Sequence, residues 1–159
     1  MKKQFTWNDL MIQKISDTDS GLWLSYWSGL VQGTVAPIFM SKFGDWFLRR
    51  QDGKTDELSV LEGTCKTIAA TPGEFENLVN LQEWQEEHLL SLQVKQLHER
   101  GIKAGVGQCY GFAPHPAFIG RIDSTLAMLM DIGVWQYICA QTFSGQVPPR
   151  VAAGNSKAN

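Results

Sequence analysis

The chain has 159 residues, the size of one average domain and long enough to bury roughly two-thirds of its unfolded surface without disulfides or a structural metal. It is 43% hydrophobic and 19% charged, a composition that excludes extended disorder. Fourteen Lys and Arg against sixteen Asp and Glu leave a net charge of −2 with no basic stripe, which argues against direct nucleic-acid binding.

Residues 7–15 place Trp7, Leu10, Met11 and Ile15 on one face, the spacing of a short amphipathic helix with Thr6 as its cap. In the next segment Leu22, Trp23, Tyr26, Trp27 and Leu30 recur three and four apart, a second helical pattern with glycine at both ends. Trp23 and Trp27 are read as wedges in the core, the sharper alternative being an exposed aromatic patch for a partner.

From Val35 the period changes. VAPIFMSKFG and DWFLRR read as strands, QDGK as a tight Asp-Gly turn, residues 54–61 as a third strand and CKTIAA as a fourth. Four strands with short turns predict an antiparallel meander with helices packed on one face, an α+β class. Arg49 and Arg50, beside Asp52, Asp56 and Glu57, read as a solvated strand end.

Thr71, Pro72 and Glu74 spell a helix start: a hydroxyl cap, a proline at the first turn and a capping-box carboxylate. Phe75, Leu78, Val79 and Leu81 form its apolar stripe. A single helix is expected over residues 82–100, burying Trp84, Leu89, Leu92 or Val94, and Leu97, with Gly101 as its stop. Glu83, Glu86 and Glu87 at its positive end are surface charge. His88 and His98, ten residues apart on that helix, cannot share a metal and are read as boundary or surface residues.

GQCYGFAPHPAFIG, residues 107–120, supplies a strand over residues 108–112 and then a proline-bounded loop. LAMLMDI is a further strand, and Asp131 caps a last helix carrying Val134, Trp135, Ile138, Cys139 and Phe143. One domain is therefore expected over residues 1–147, with a flexible tail at 148–159 where prolines and small residues replace any apolar period.

Three widely spaced cysteines, Cys65, Cys109 and Cys139, argue against a disulfide framework and for a reducing compartment. No CxxC or HxxxH pair supports a metal, and no cofactor is expected. Catalysis by Cys109 and His115 needs a thiolate with a base in hydrogen-bond reach. If the strand runs straight, the six residues between them span roughly 20 Å, so Cys109 is read as a small buried hydrophobe. There is no GxSxG elbow and no phosphate loop. Asn8, Asp9 and Gln13 interrupt any leader-like run at the N-terminus, and no stretch reaches the roughly twenty apolar residues of a membrane span, so a cytoplasmic location is expected.

Read together, PIFMSKFGDWFLRRQDGKTDELSVLEGTCKTIAATPGEFENLV, EWQEEHLLSL, GQCYGFAPHPAFIG and VWQYICAQTF resemble a bacterial family that includes the C-terminal domain of immunity proteins protecting against type VI secretion DNase effectors. The resemblance covers about residues 20–147. It rests on Phe43, Gly44 and Asp45, on Leu61, Glu62 and Gly63, on Glu74 and Phe75, and on the Cys109-Tyr110-x-Phe112 strand followed by a proline loop and Gly120. Where the family has a Pro-Pro-x-x-Gly-Gly loop, this chain has Pro114, His115, Pro116 and Ala117 followed by Phe118 to Arg121, so a partner touching that loop would differ.

The resemblance implies a non-enzymatic binding protein that neutralises a secreted, DNase-like toxin by occluding or distorting it. The candidate partner-binding residues are Cys109, Tyr110, Phe112, His115 and Arg121, and Asp52, Asp56, Glu57, Glu86 and Glu87 could form acidic patches against a basic toxin. The alternative is a small enzyme or ligand-binding domain using the loop at 109–121. A homo-oligomer joined through the Trp23 and Trp27 segment is a third possibility.

Overall fold

The computed structural model describes residues 5–144, and the expected tail lies outside the described residues. The fold is α+β, built on a five-stranded antiparallel sheet in the order β1 to β5. The strands are β1 (Met11–Ile12), β2 (Val35–Ser41), β3 (Trp46–Arg50), β4 (Thr55–Ser59) and β5 (Thr64–Ala69). The four strands of the expected meander are present, and β1 adds a fifth.

That addition explains why the first helix is shorter than its apolar spacing suggests. Thr6 caps α1 (Trp7–Leu10) through a capping box with Asp9, but Met11 and Ile12 leave the helix to pair with Ser41 and Met40 on the edge of β2. An available sheet edge satisfies more backbone groups than one further helical turn. Next, α2 (Asp17–Ser25) starts at Ser16, whose hydroxyl accepts from Asp19 N–H at 3.0 Å. Trp27, just beyond α2, is buried in the core, and Trp23 packs against it half-buried.

In α3 (Pro72–Val79) Thr71 accepts from Glu74 N–H at 3.1 Å, while the Glu74 carboxylate reaches back to Ala70 N–H, one residue earlier than a standard capping box. The expected long helix over 82–100 is two helices, α4 (Gln82–His88) and α5 (Ser91–Glu99). Leu90 breaks it by taking a left-handed φ of 51°. The turn aims both Trp84 and Leu89 at the core and then re-aims α5 so that Val94 and Leu97 are buried, leaving Leu92 exposed. Helical spacing persists across the break, so periodicity alone runs the two into one.

The strand β6 (Gln108–Phe112) falls where expected but pairs with β7 (Ala127–Asp131) as a separate two-stranded sheet. Asp131 then accepts from Val134 N–H at 3.0 Å and opens α6 (Ile132–Ser144). In β3, alternate residues face opposite ways. Phe47, with Phe39, meets Phe75 of α3 and Trp84 of α4, whereas Trp46 meets α6.

A buried hydrogen-bond network joins α6 to the turn between β2 and β3. The Phe43 carbonyl accepts the Trp135 indole N–H at 2.8 Å, and the Gly44 carbonyl accepts the Gln136 amide at 2.8 Å. Asp45 accepts Val60 N–H at 2.8 Å. The Gln136 amide oxygen in turn accepts the indole N–H groups of Trp46 at 2.9 Å and Trp27 at 3.3 Å. Three consecutive residues thus tie the meander to α6 and to the end of β4.

Candidate functional site

Four of the five candidate partner-binding side chains lie in the core. Cys109, Tyr110, Phe112 and His115 are each no more than 3% exposed. Tyr110 and Phe112 pack on Phe43, and the Tyr110 hydroxyl accepts Ala104 N–H at 3.1 Å. Burial pushes the Cys109 thiol up to about 12, so it carries no thiolate for nucleophilic attack. Arg121 alone is exposed, with Asp123 3.5 Å away.

His115 is a structural pin. Its Nε2–H donates to the Val60 carbonyl at 3.0 Å, and its Nδ1 accepts Ala117 N–H at 3.0 Å, which specifies the neutral ring protonated on Nε2. Its ring lies against Trp135 at a centroid distance of 5.5 Å. Burial lowers its pKa below the usual 6.5, so it stays uncharged. Both nitrogens are committed, leaving neither for proton transfer or a metal. Asp45 takes the Val60 N–H and His115 the Val60 carbonyl, so one peptide residue links β4 to the loop that follows β6.

That loop makes one wall of a cleft of about 610 Å³. Pro116, Ala117, Gly120, Arg121 and Ile122 line this side, the β4–β5 hairpin supplies Glu57, Ser59, Glu62 and Lys66, and the end of α4 supplies Glu87 and His88. Asp45 also lines it, although the side chain is almost wholly buried. The sequence reading placed Glu57 in an acidic patch and His88 at the boundary or the surface. In the structure His88 Nδ1 is 2.6 Å from Glu57 Oε1, and its ring stacks on Trp84 at 4.7 Å. Lys66 is the cross-strand neighbour of Glu57. These two acids of the expected patch are therefore not free: Glu57 holds His88, and Asp56 holds Arg50 at 2.8 Å and the Thr67 hydroxyl at 2.7 Å. Arg50 also donates to the Gln32 carbonyl, so the arginine expected at a solvated strand end is anchored.

The hydrogen bond to Glu57 raises the His88 pKa above 6.5, against the opposing pull of partial burial. A base whose folded pKa is raised adds stability that is complete below its unfolded pKa and is lost as pH rises through its folded one. His88→Gln is therefore expected to cost most near about pH 6 and little near about pH 8, so the stability gap between wild type and variant narrows as pH rises. Urea unfolding at both pH values measures that gap, and a gap that widens would refute the pairing. His115 contributes in the opposite sense, its stability being lost as pH falls below 6.5, which is why the comparison uses the variant.

Asp45 is the second site residue that sequence reasoning missed. Burial, then the neighbouring Glu57, raises its pKa well above the ordinary aspartate value of 3.8, and Val60 N–H opposes the rise. No spacing rule connects Asp45, Glu57 and His88, which come from a turn, a strand and a helix. Asp45 was visible only as part of the Phe43-Gly44-Asp45 triplet. No group of three or more His, Cys, Asp or Glu among the described residues is arranged to hold a metal. No helix among them is long and apolar enough to cross a membrane.

No family model matches the chain, and no curated protein matches it. Among solved structures it is similar to the crystal structure of Atu4351 from Agrobacterium tumefaciens, with a TM-score of 0.51. The two are 14% identical over 90% of this chain and 68% of that one, a likeness of fold alone.

Proposed function

We propose that this chain is a non-catalytic, cytoplasmic binding protein that neutralises a secreted DNase-like toxin, the role implied by the resemblance of its Phe43-Gly44-Asp45 turn and Cys109-Tyr110-x-Phe112 strand. The observation that carries the non-catalytic part is the commitment of both His115 nitrogens, to Val60 and Ala117. Cys109, in the preceding strand, is buried with its thiol pushed up to about 12, so the glycine- and proline-rich stretch steers the backbone and holds one wall of the cleft. A protein that acts by covering its target needs a shaped, charged surface and no reacting group, and the cleft beside Arg121 supplies one.

The test is co-expression with a DNase-like toxin encoded beside this chain. The expected result is restored growth together with a complex that co-elutes on size-exclusion chromatography with light scattering. A chain that neither protects the cell nor co-elutes overturns the proposal. The alternative reading, a small enzyme or ligand-binding domain using the same loop, is supported by the loop's place in the wall of a cleft large enough for a small ligand.

A further inference from the structure

The edges of the two sheets are not alike. In the five-stranded sheet β1 is only two residues long, and β5 exposes Lys66 and Thr67, features that discourage further pairing. In the small sheet the outer side of β6 is engaged, since Tyr110 N–H donates to the Lys42 carbonyl at 2.8 Å. The outer edge of β7 has no such protection. Its sequence, AMLMD, contains neither lysine nor proline, and Met128 and Leu129, on opposite faces of the strand, are 45% and 40% exposed. The ladder to β6 fixes which backbone groups point outward. Ala113 N–H donates to the Leu126 carbonyl and Ile132 N–H to the Gly107 carbonyl, at 3.2 and 3.1 Å, at the two ends of the register. Bonded pairs alternate along an antiparallel ladder, so Met128 and Met130 face β6, while Ala127, Leu129 and Asp131 turn their peptide groups away from it. Ala127 N–H is taken by the Ser124 carbonyl. The N–H and C=O of Leu129 bond to nothing among the described residues.

We propose that β7 pairs antiparallel with β7 of a second copy of this chain, about a two-fold axis at Leu129. The strand itself selects that occupant. Met128, Leu129 and Met130 read the same in both directions about the central outward-facing residue, a symmetry that the edge strand of an unrelated protein would not require. The axis sets Leu129 opposite its own copy and Met128 opposite Met130 of the partner subunit. Asp131, the one charge in the strand, comes opposite Ala127 of the partner subunit, so no like charges meet. The outward N–H and C=O of each Leu129 then satisfy those of the other, and Asp131 N–H reaches the free Ala127 carbonyl, which joins the two small sheets into one. Strand pairing alone is a small contact, and α6 adds to it. That helix packs against β7 and exposes Val134, Tyr137 and Ile138. A two-fold axis normal to the sheet keeps both copies of α6 over one face of it, which brings exposed apolar surface to the same side of the joined sheet.

The test is analytical ultracentrifugation of the full chain from about 10 μM to about 1 mM, a range over which mass action drives self-association. The mass should rise from 17.8 kDa toward twice that value. Over the same range the Leu129 amide should slow its hydrogen exchange at least about tenfold, as an outward N–H does when it gains a partner. Leu129→Pro removes an N–H that the ladder to β6 does not use, and Leu129→Lys sets two cations face to face at the axis. Each should weaken dimerisation at least about tenfold, with circular dichroism reporting that the monomer is folded. A chain that stays at 17.8 kDa throughout, or a dimer that survives Leu129→Lys, overturns the proposal. So does a monomer whose Leu129 amide is protected only when a toxin is added, a result that assigns the edge to a strand of that protein. The proposal stands apart from toxin binding: a dimer that protects no cell keeps the β7 pairing, and protection by a chain that never dimerises removes it.

Discussion

Gln136→Leu is expected to destabilise the fold by about 4 kcal/mol, because leucine fills the space of glutamine but strands every polar atom around it. The amide of Gln136 serves two indoles and a carbonyl at once: its oxygen accepts from Trp46 and Trp27, and its nitrogen donates to the Gly44 carbonyl. The side chain is fully buried, so no water can replace these bonds in the native state. Each buried donor or acceptor left without a partner costs about 1–3 kcal/mol. The longer bond to Trp27, at 3.3 Å, counts at the low end of that range. Chemical denaturation measures the loss, and the two buried tryptophans give the readout directly, since their fluorescence should change even before unfolding. Gln136→Glu discriminates further: it can still accept from both indoles, so it should lose its stability mainly as pH rises and a buried carboxylate forms. A Gln136→Leu variant within about 1 kcal/mol of wild type would refute the network.

Gly44→Ala is expected to cost about 3 kcal/mol. Gly44 has a φ of +97°, a conformation in which a Cβ is strained whatever surrounds it. Here space is short as well: the added carbon would lie 2.9 Å from Trp135 Cδ1 and 3.0 Å from the Gln136 amide nitrogen. Those are the two residues that bond Phe43 and Gly44, so relief of the clash pulls α6 away from the turn and lengthens both bonds. Asp45 follows in the same turn, and a displaced Asp45 would disturb the cleft. Thermal and urea unfolding of the variant, compared with Gly73→Ala, where nothing lies within 4 Å of the added carbon, separate this local cost from a general effect of removing glycine.

Much of this architecture was legible residue by residue. The Asp-Gly turn after Arg50, the Thr71 cap with Pro72 behind it and the Asp131 cap of α6 all act over four residues or fewer, and each lies where its local chemistry places it. Short strand-like runs separated by tight turns were likewise sufficient for a meander. The break at Leu90 was not legible, because Leu89, Leu92 and Leu97 keep helical spacing across it, although Leu92 is exposed in the structure. Burial of α5 against the rest of the core selects the break, at the cost of one left-handed leucine.

The site divides in the same way. Steering by glycine and proline around Cys109 and His115 was readable, since those residues limit the backbone by themselves. The cleft was not, because its chemistry joins Asp45, Glu57 and His88 across up to forty-three positions of chain, and their charge states depend on neighbours that arrive only on folding. Turns and caps are governed by short-range sterics and hydrogen bonds, which travel with the residue type. Burial, ion pairing and the protonation of a carboxyl are governed by what surrounds a group in space, and a linear string of residue types carries no such distances.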